Sequence, residues 1–169
     1  MTPSHLLGCD PGLLGALALI CVETRQIEFI WDMPVTDGQV DPAALAGIVN
    51  TAKFFVGPQP RSIQASVELV SSFPRQTGAF NFGRSAGVLQ GVFGALDIPF
   101  SLISPAQWKG VIGLRKMPNE TQGQVKTRAR ELAMKLWPER AAEFKRIKDD
   151  GRAEACLIAR FAVNRLEKR

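Results

Sequence analysis

Three short apolar runs open the chain with few residues between them, and that spacing limits the folds available to it. In "HLLGCDPGLLGALALICVETRQIEFIWDMP", Leu6 to Cys9 is a short buried run broken by Asp10-Pro11-Gly12. Gly15 to Cys21 is a second run, and Ile27, Phe29 and Trp31 alternate with outward positions in a third. Connections this short cannot hold a crossover helix, so they predict an antiparallel meander. Asp41-Pro42 then gives an N-cap followed by proline at the first helical position, opening a helix to about Phe55. Ile63, Ala65 and Val67 alternate with Ser62, Gln64 and Ser66 in a fourth strand.

"FNFGRSAGVLQGVFGAL" reads as helical despite its glycines, because Gly83, Gly87 and Gly91 recur every four residues as one bare stripe. The stripe suits either close packing on the sheet or a contact between copies, with Val88, Leu89 and Phe93 beside it. "IPFSLIS" is a fifth strand, and Gln122 to Trp137 carries Val125, Ala129, Leu132 and Leu136 on one helical face. A last helix runs from about Gly151 to Leu166, and the segment from 113 to 124 reads as irregular. The order βββ-α-β-α-β-α-α predicts one α/β domain over residues 1–169, a five-stranded mixed sheet flanked by helices.

Composition narrows the function classes. A 46% hydrophobic content excludes a disordered tail, and no apolar run reaches the roughly 20 residues that span a bilayer. Cys9, Cys21 and Cys156 sit in apolar stretches, which predicts reduced core thiols and a cytoplasmic protein without a membrane partner. His5 is the single histidine, and no Cys/His spacing typical of metal sites occurs, so His5 reads as an ordinary surface residue. Charge is unevenly spread: residues 1–108 hold 5 Lys/Arg against 8 Asp/Glu, and residues 109–169 hold 16 against 8. A basic half of this density is an electrostatic footprint for a polyanion, nucleic acid being the commonest.

Carboxylates interrupt the apolar elements at three places. Asp10 ends the first strand, Glu68 ends the fourth, and "KDDGRAEACLIARF" gathers Asp149, Asp150 and Glu154 at the start of the last helix. Capping accounts for an acid at one helix start. It does not account for acids at two strand ends, where charge is costly unless paired or bound to metal. If strands one and four are parallel neighbours, Asp10 and Glu68 share a sheet edge on which the last helix could pack. Asp150 and Glu154, four apart, share a helix face; Asp149 and Glu154, five apart, lie about 140° round and fit one site poorly. Asp149 is therefore expected to cap the helix or to act from behind the ligands. Oxygen ligands without His or Cys suit Mg²⁺, with Mn²⁺ as a substitute, and two such ions can clamp a phosphodiester.

"GCDPGLLGALALI", "VELVSSFPRQTGAFNFGRSAGVLQGVF", "ISPAQWKGVIGL" and "KDDGRAEACLIA" together resemble the RuvC-type Holliday junction resolvases, particularly the compact versions carried by phages. The resemblance spans essentially the whole chain, with the blocks in the family's order. It implies a ribonuclease H-like fold, a homodimer, and Mg²⁺-dependent paired nicks in a four-way DNA junction. By motif, Asp10, Glu68, Asp150 and Glu154 match the family's metal-binding acids, and Lys109 and Lys126 match its active-site basic positions. The bacterial pattern spaces the last two acids three apart rather than four, and close relatives often carry His where this chain has Asp150. Phe73 is the nearest candidate for the family's aromatic wedge at the crossover, set further from the second acid than in bacteria. Arg75, Arg84, Arg115 and Lys116 join Phe73, Lys109 and Lys126 as candidate DNA contacts.

Three other readings are weighed. Asp10-Pro11-Gly12 with Gly15 could open a sugar-kinase or actin-like ATPase, but 169 residues do not hold the duplicated domain those need. A ribonuclease H-like nuclease cutting flaps or other branched DNA is the serious alternative. A non-catalytic junction-binding protein needs none of the four acids.

Overall fold

The computed structural model describes residues 2–58, 62–69 and 79–167. Phe73 and Arg75 lie outside the described residues. The chain runs β1 (His5–Asp10), β2 (Ala16–Cys21), β3 (Ile27–Asp32), a small hairpin of β4 (Val35–Thr36) and β5 (Gln39–Val40), α1 (Pro42–Val56) and β6 (Ile63–Glu68). There follow α2 (Ala79–Ala95), β7 (Phe100–Ile103), α3 (Pro105–Val111), α4 (Gln122–Leu136), 3₁₀ turns at Pro138–Phe144 and Ile147–Asp149, and α5 (Asp150–Leu166).

The main sheet has five strands in the order β3-β2-β1-β6-β7. The meander β1–β2–β3 is antiparallel, and β6 and β7 add to β1 in parallel. This is the ribonuclease H-like α/β arrangement, with helices on both faces. Strand alternation sends Leu7, Cys9, Leu17 and Leu19 to one face, against Leu45 and Val49 of α1 and Leu89 and Phe93 of α2. Leu6, Ala18 and Ile20 go to the other face, against α5, with α4, Trp108 and Phe144 closing that layer. Eleven residues of α5 are buried, so it is a core helix rather than an amphipathic one.

Several expectations change here. β3 carries a bulge: Leu19 pairs with Phe29 and Ile20 with Ile27, leaving Glu28 as the extra residue. Ile27 therefore faces the α5 side and Phe29 the α1 side, instead of sharing a face. Leu89 and Phe93 are core residues and cannot line an interface. A Cβ built on Gly83, Gly87 or Gly91 meets no atom within 4 Å, so the glycine stripe does not seat α2 on the sheet. On α4 the buried face is Val125, Ala129 and Ala133, while Leu136 is exposed. Cys21 is half-buried rather than a core thiol. No helix among the described residues is long and apolar enough to cross a membrane.

The segment from 113 to 124 is ordered by charge. Buried Glu120 accepts bonds from Arg128 Nε at 2.7 Å and Nη2 at 2.9 Å, and from the Met117 N–H at 2.9 Å. Arg128 also donates to the carbonyls of Gly113 and Arg115.

Candidate active site

The register puts the acids at one edge. β1 and β6 run parallel with Cys9 opposite Val67, so Asp10 and Glu68 follow at the carboxyl ends of adjacent strands. That edge is where open α/β sheets place ligands. α5 reaches it because two glycines let backbones touch. A Cβ on Gly8 would lie 2.1 Å from the Ala155 carbonyl oxygen, and one on Gly151 would lie 2.3 Å from the Leu14 carbonyl oxygen. Contact at Gly151 sets the first turn of α5 against the β1–β2 turn. Glu154 is thereby brought close enough for Asp10 to feel its charge, and Asp150 joins the same cluster through Lys126, which feels Asp150, Glu154 and Asp10 together.

Lysines balance part of this charge. Lys109 Nζ of α3 donates to Glu154 Oε1 at 2.7 Å, and Lys126 of α4 pairs with Asp150. Burial works against the Lys126 ammonium, but the Asp150 bond and the charges of Asp150, Glu154 and Asp10 outweigh it and raise its pKa. Trp108, fully buried, donates Nε1–H to Glu68 Oε1 at 2.8 Å. It fixes the orientation of that carboxylate, and the Lys109 ammonium sits 4.8 Å from the Trp108 ring centroid. The only sequence signal for this role was a Trp beside a Lys in "PAQWKG".

The acids are poorly solvated and mutually repulsive. Burial, then the charges of Glu154 and Glu68, push the Asp10 carboxyl up to about 7, against a bond from the Gly12 N–H. Burial, then Glu154, also raises the Glu68 carboxyl, with Lys109 and the Trp108 N–H opposing. Such a group invites a hard dication, and the donors are all carboxylate oxygens, as Mg²⁺ requires. Among the described residues no three of these acids bring oxygens within 4.8 Å of one another. A shared ion would have to draw these carboxylates closer together than they stand here.

Asp149 stands apart. It is 2% exposed, and its carboxylate accepts from the Arg146 backbone N–H at 2.8 Å and from Arg146 Nη2 at 2.8 Å. It makes no side-chain cap on α5, contrary to the capping expectation; it closes the 3₁₀ turn before the helix instead. Among the basic candidates, Lys109, Arg115 and Lys116 line one groove with Gly110, Leu114 and Gln122. Arg84 is exposed on α2.

No family model matches the sequence, and no curated protein matches it. Solved structures do match. Thermus thermophilus RuvC in complex with a Holliday junction substrate superposes with a TM-score of 0.60 at 17% identity, covering 96% of each chain. A further Thermus thermophilus RuvC structure gives 0.57 at 17% identity, again over 96% of each chain. This chain has the RuvC fold. The yeast mitochondrial Holliday junction resolvase Ydc2 gives 0.50 at 17% identity, covering 96% of this chain and 79% of that one. At this identity the likeness speaks for the fold, and the chemistry rests on the residues above.

The raised Asp10 pKa has a measurable consequence. Well below 3.8 the carboxyl is protonated in folded and unfolded chains alike and contributes nothing, and near pH 4 the unfolded chain has only begun to gain from releasing its proton, so the contribution is still small. Between the ordinary 3.8 and about 7 the unfolded chain releases the proton while the folded chain keeps it, so a destabilising contribution grows with pH. Above that range it stays at full size. In EDTA, Asp10→Asn is therefore expected to raise the urea midpoint at about pH 8 and to change it little near pH 4. Equal shifts at both pH values would refute this account of the site.

Proposed function

We propose that this protein is a Mg²⁺-dependent DNA endonuclease that resolves four-way junctions by paired nicks, acting as a homodimer. The observation that carries the reading is the meeting of Asp10, Glu68, Asp150 and Glu154 with Lys109 and Lys126 at the carboxyl edge of a RuvC-fold sheet. The Thermus thermophilus protein of this fold is described with a Holliday junction substrate. The basic half of the chain, 16 Lys/Arg against 8 Asp/Glu, suits a DNA backbone. When bound, Mg²⁺ would stabilise charge on the scissile phosphate and ease deprotonation of the attacking water.

The chain's own groups do the rest. Trp108 holds Glu68 in one orientation, and the ionised acids would hold the dication. Lys109 and Lys126, which pair with Glu154 and Asp150, would meet phosphate charge brought to the same edge. Two symmetric nicks need two active sites related by a two-fold axis. The exposed α2 face, with Phe80 79% exposed beside open Gly83 and Gly87, supports a contact between copies there.

The deciding experiment compares nicking of a labelled four-way junction, a flap and a linear duplex in Mg²⁺. Preferred, paired cutting of the junction is expected; faster cutting of the flap would favour the branched-DNA nuclease. Junction binding without any nicking in Mg²⁺ or Mn²⁺ would leave only the non-catalytic reading. Light scattering should return a dimer at micromolar concentration, and a strict monomer that still makes paired nicks would overturn the assembly.

Lys109→Ala and Lys126→Ala are each expected to slow nicking by roughly 10²–10³-fold, the scale of losing one donor at developing charge. Junction affinity in Ca²⁺ should change far less. Should rate and affinity instead fall in step, with a salt slope shallower by about one, the lysines are ordinary backbone contacts.

A further inference from the structure

The end of the sheet away from the acids carries a different donor set. His5 opens β1 and pairs directly with Cys21, the last residue of β2, so their side chains share a face. The bulge in β3 leaves Glu28 without a partner in the ladder and re-aims it toward this pair. One ligand atom from each of His5, Cys21 and Glu28 lies within 4.8 Å of the others, and all three residues are half-buried. Among the described residues this is the one His/Cys/Asp/Glu trio so drawn together.

The imidazole is also prepared for a metal. Ser4 Oγ donates its proton to the Ser62 carbonyl at 3.1 Å. With the proton so placed, its 2.9 Å contact with His5 Nδ1 calls for the tautomer that carries the ring proton on Nδ1. In that tautomer Nε2 keeps its lone pair for a metal, and an outer partner that fixes the tautomer is the usual companion of a ligating histidine. The edge of the Phe55 ring, with centroids 6.1 Å apart, further restrains the imidazole.

We propose that His5, Cys21 and Glu28 form a second metal site, selective for a zinc-class divalent ion, that ties the three strands of the meander together. One nitrogen, one thiolate and one carboxylate suit tetrahedral Zn²⁺ or Co²⁺ with a solvent molecule in fourth place, and suit Mg²⁺ poorly. Asp10 lies five residues along β1, roughly 17 Å away at about 3.3 Å per residue, so the site stabilises the sheet without entering the active centre.

The test uses the reduced full-length chain in excess Mg²⁺, titrated with Co²⁺. A thiolate-to-cobalt charge-transfer band in the near ultraviolet should saturate at a single equivalent, vanish in Cys21→Ser and His5→Ala, and be displaced by Zn²⁺. Co²⁺ on the carboxylate cluster gives no such band. Zn²⁺ at a hundredfold excess over its Kd should raise Tm by about 5–10 °C in the parent and not in Cys21→Ser. Because Cys9 and Cys156 are buried, alkylation of the parent reports Cys21, and Zn²⁺ should protect it even if the variants fold poorly. No thiolate band, a band that survives Cys21→Ser, or alkylation unaffected by saturating Zn²⁺ overturns the proposal. Junction nicking by Cys21→Ser in Mg²⁺ should match the parent.

Discussion

Glu154→Gln and Asp150→Asn are each expected to abolish Mg²⁺-dependent nicking while leaving junction binding in EDTA or Ca²⁺ intact. The loss should exceed the roughly 10–100-fold typical of an outer partner, because each substitution removes an ionised oxygen from a small ligand set. Glu154 is the charge that Asp10 and Glu68 both feel after burial itself, so Glu154→Gln should also lower their pKa values and leave apo stability unchanged or slightly higher. Asp149→Asn provides the contrast. Its carboxylate is committed to Arg146, so nicking should persist while stability falls by about 1–3 kcal/mol, the worth of bonds to a charged group. Nicking of a labelled junction beside urea melts reads both effects. If Asp149→Asn is dead and Asp150→Asn still cuts, the ligand assignment is reversed and the proposed site is wrong.

Much of the frame was legible because it rests on local rules. Asp41-Pro42 opens α1 as read, with Asp41 Oδ1 accepting from the Ala43 and Ala44 N–H groups at 2.9 and 3.0 Å. The short meander connections and the period-2 pattern gave the strands. The β4–β5 hairpin went unread although its signal was present: Asp37 and Gly38 have φ of 52° and 70°, the residues a tight hairpin turn favours. α3 went unread because seven residues carry too little periodicity; its marks were Pro105 at the first position and the Ser104–Gln107 capping box. The bulge at Glu28 had no local signal, and it decides what stands beside His5 and Cys21. Spacing separated Asp149 from Asp150, but with no periodic pattern over so short a turn it did not reveal the local pairing of Asp149 with Arg146, three residues before it.

The glycines show the same boundary, and they yield the largest expected effect on stability. From sequence the recurrent Gly83, Gly87 and Gly91 suggested close backbone approach, yet open space surrounds each of them. Close approach occurs instead at Gly8 and Gly151, which stand in no pattern. By helix propensity alone Gly151→Ala should stabilise α5 by about 1 kcal/mol. The contacts reverse the sign: its Cβ would meet Leu14 O at 2.3 Å and Gly15 Cα at 2.8 Å, both backbone atoms that no rotamer change can move. At Gly8 the new methyl would meet Ala155 O at 2.1 Å and Ala159 N at 2.5 Å. α5 must then lift from the sheet, at a cost expected to reach or exceed about 3 kcal/mol, the upper end of ordinary overpacking. Lifting also moves Asp150 and Glu154 away from Asp10, and a displacement near 1 Å can cost roughly 10²-fold in rate. Gly151→Ala that remains folded should therefore nick poorly even at saturating Mg²⁺. Gly47→Ala, on α1 with open space round its Cβ, should instead gain about 0.5–1 kcal/mol and nick normally. Urea melts and nicking rates of the three variants decide the matter, and a Gly151→Ala protein as stable and active as the parent would show that α5 does not depend on this contact to bring its acids to the sheet.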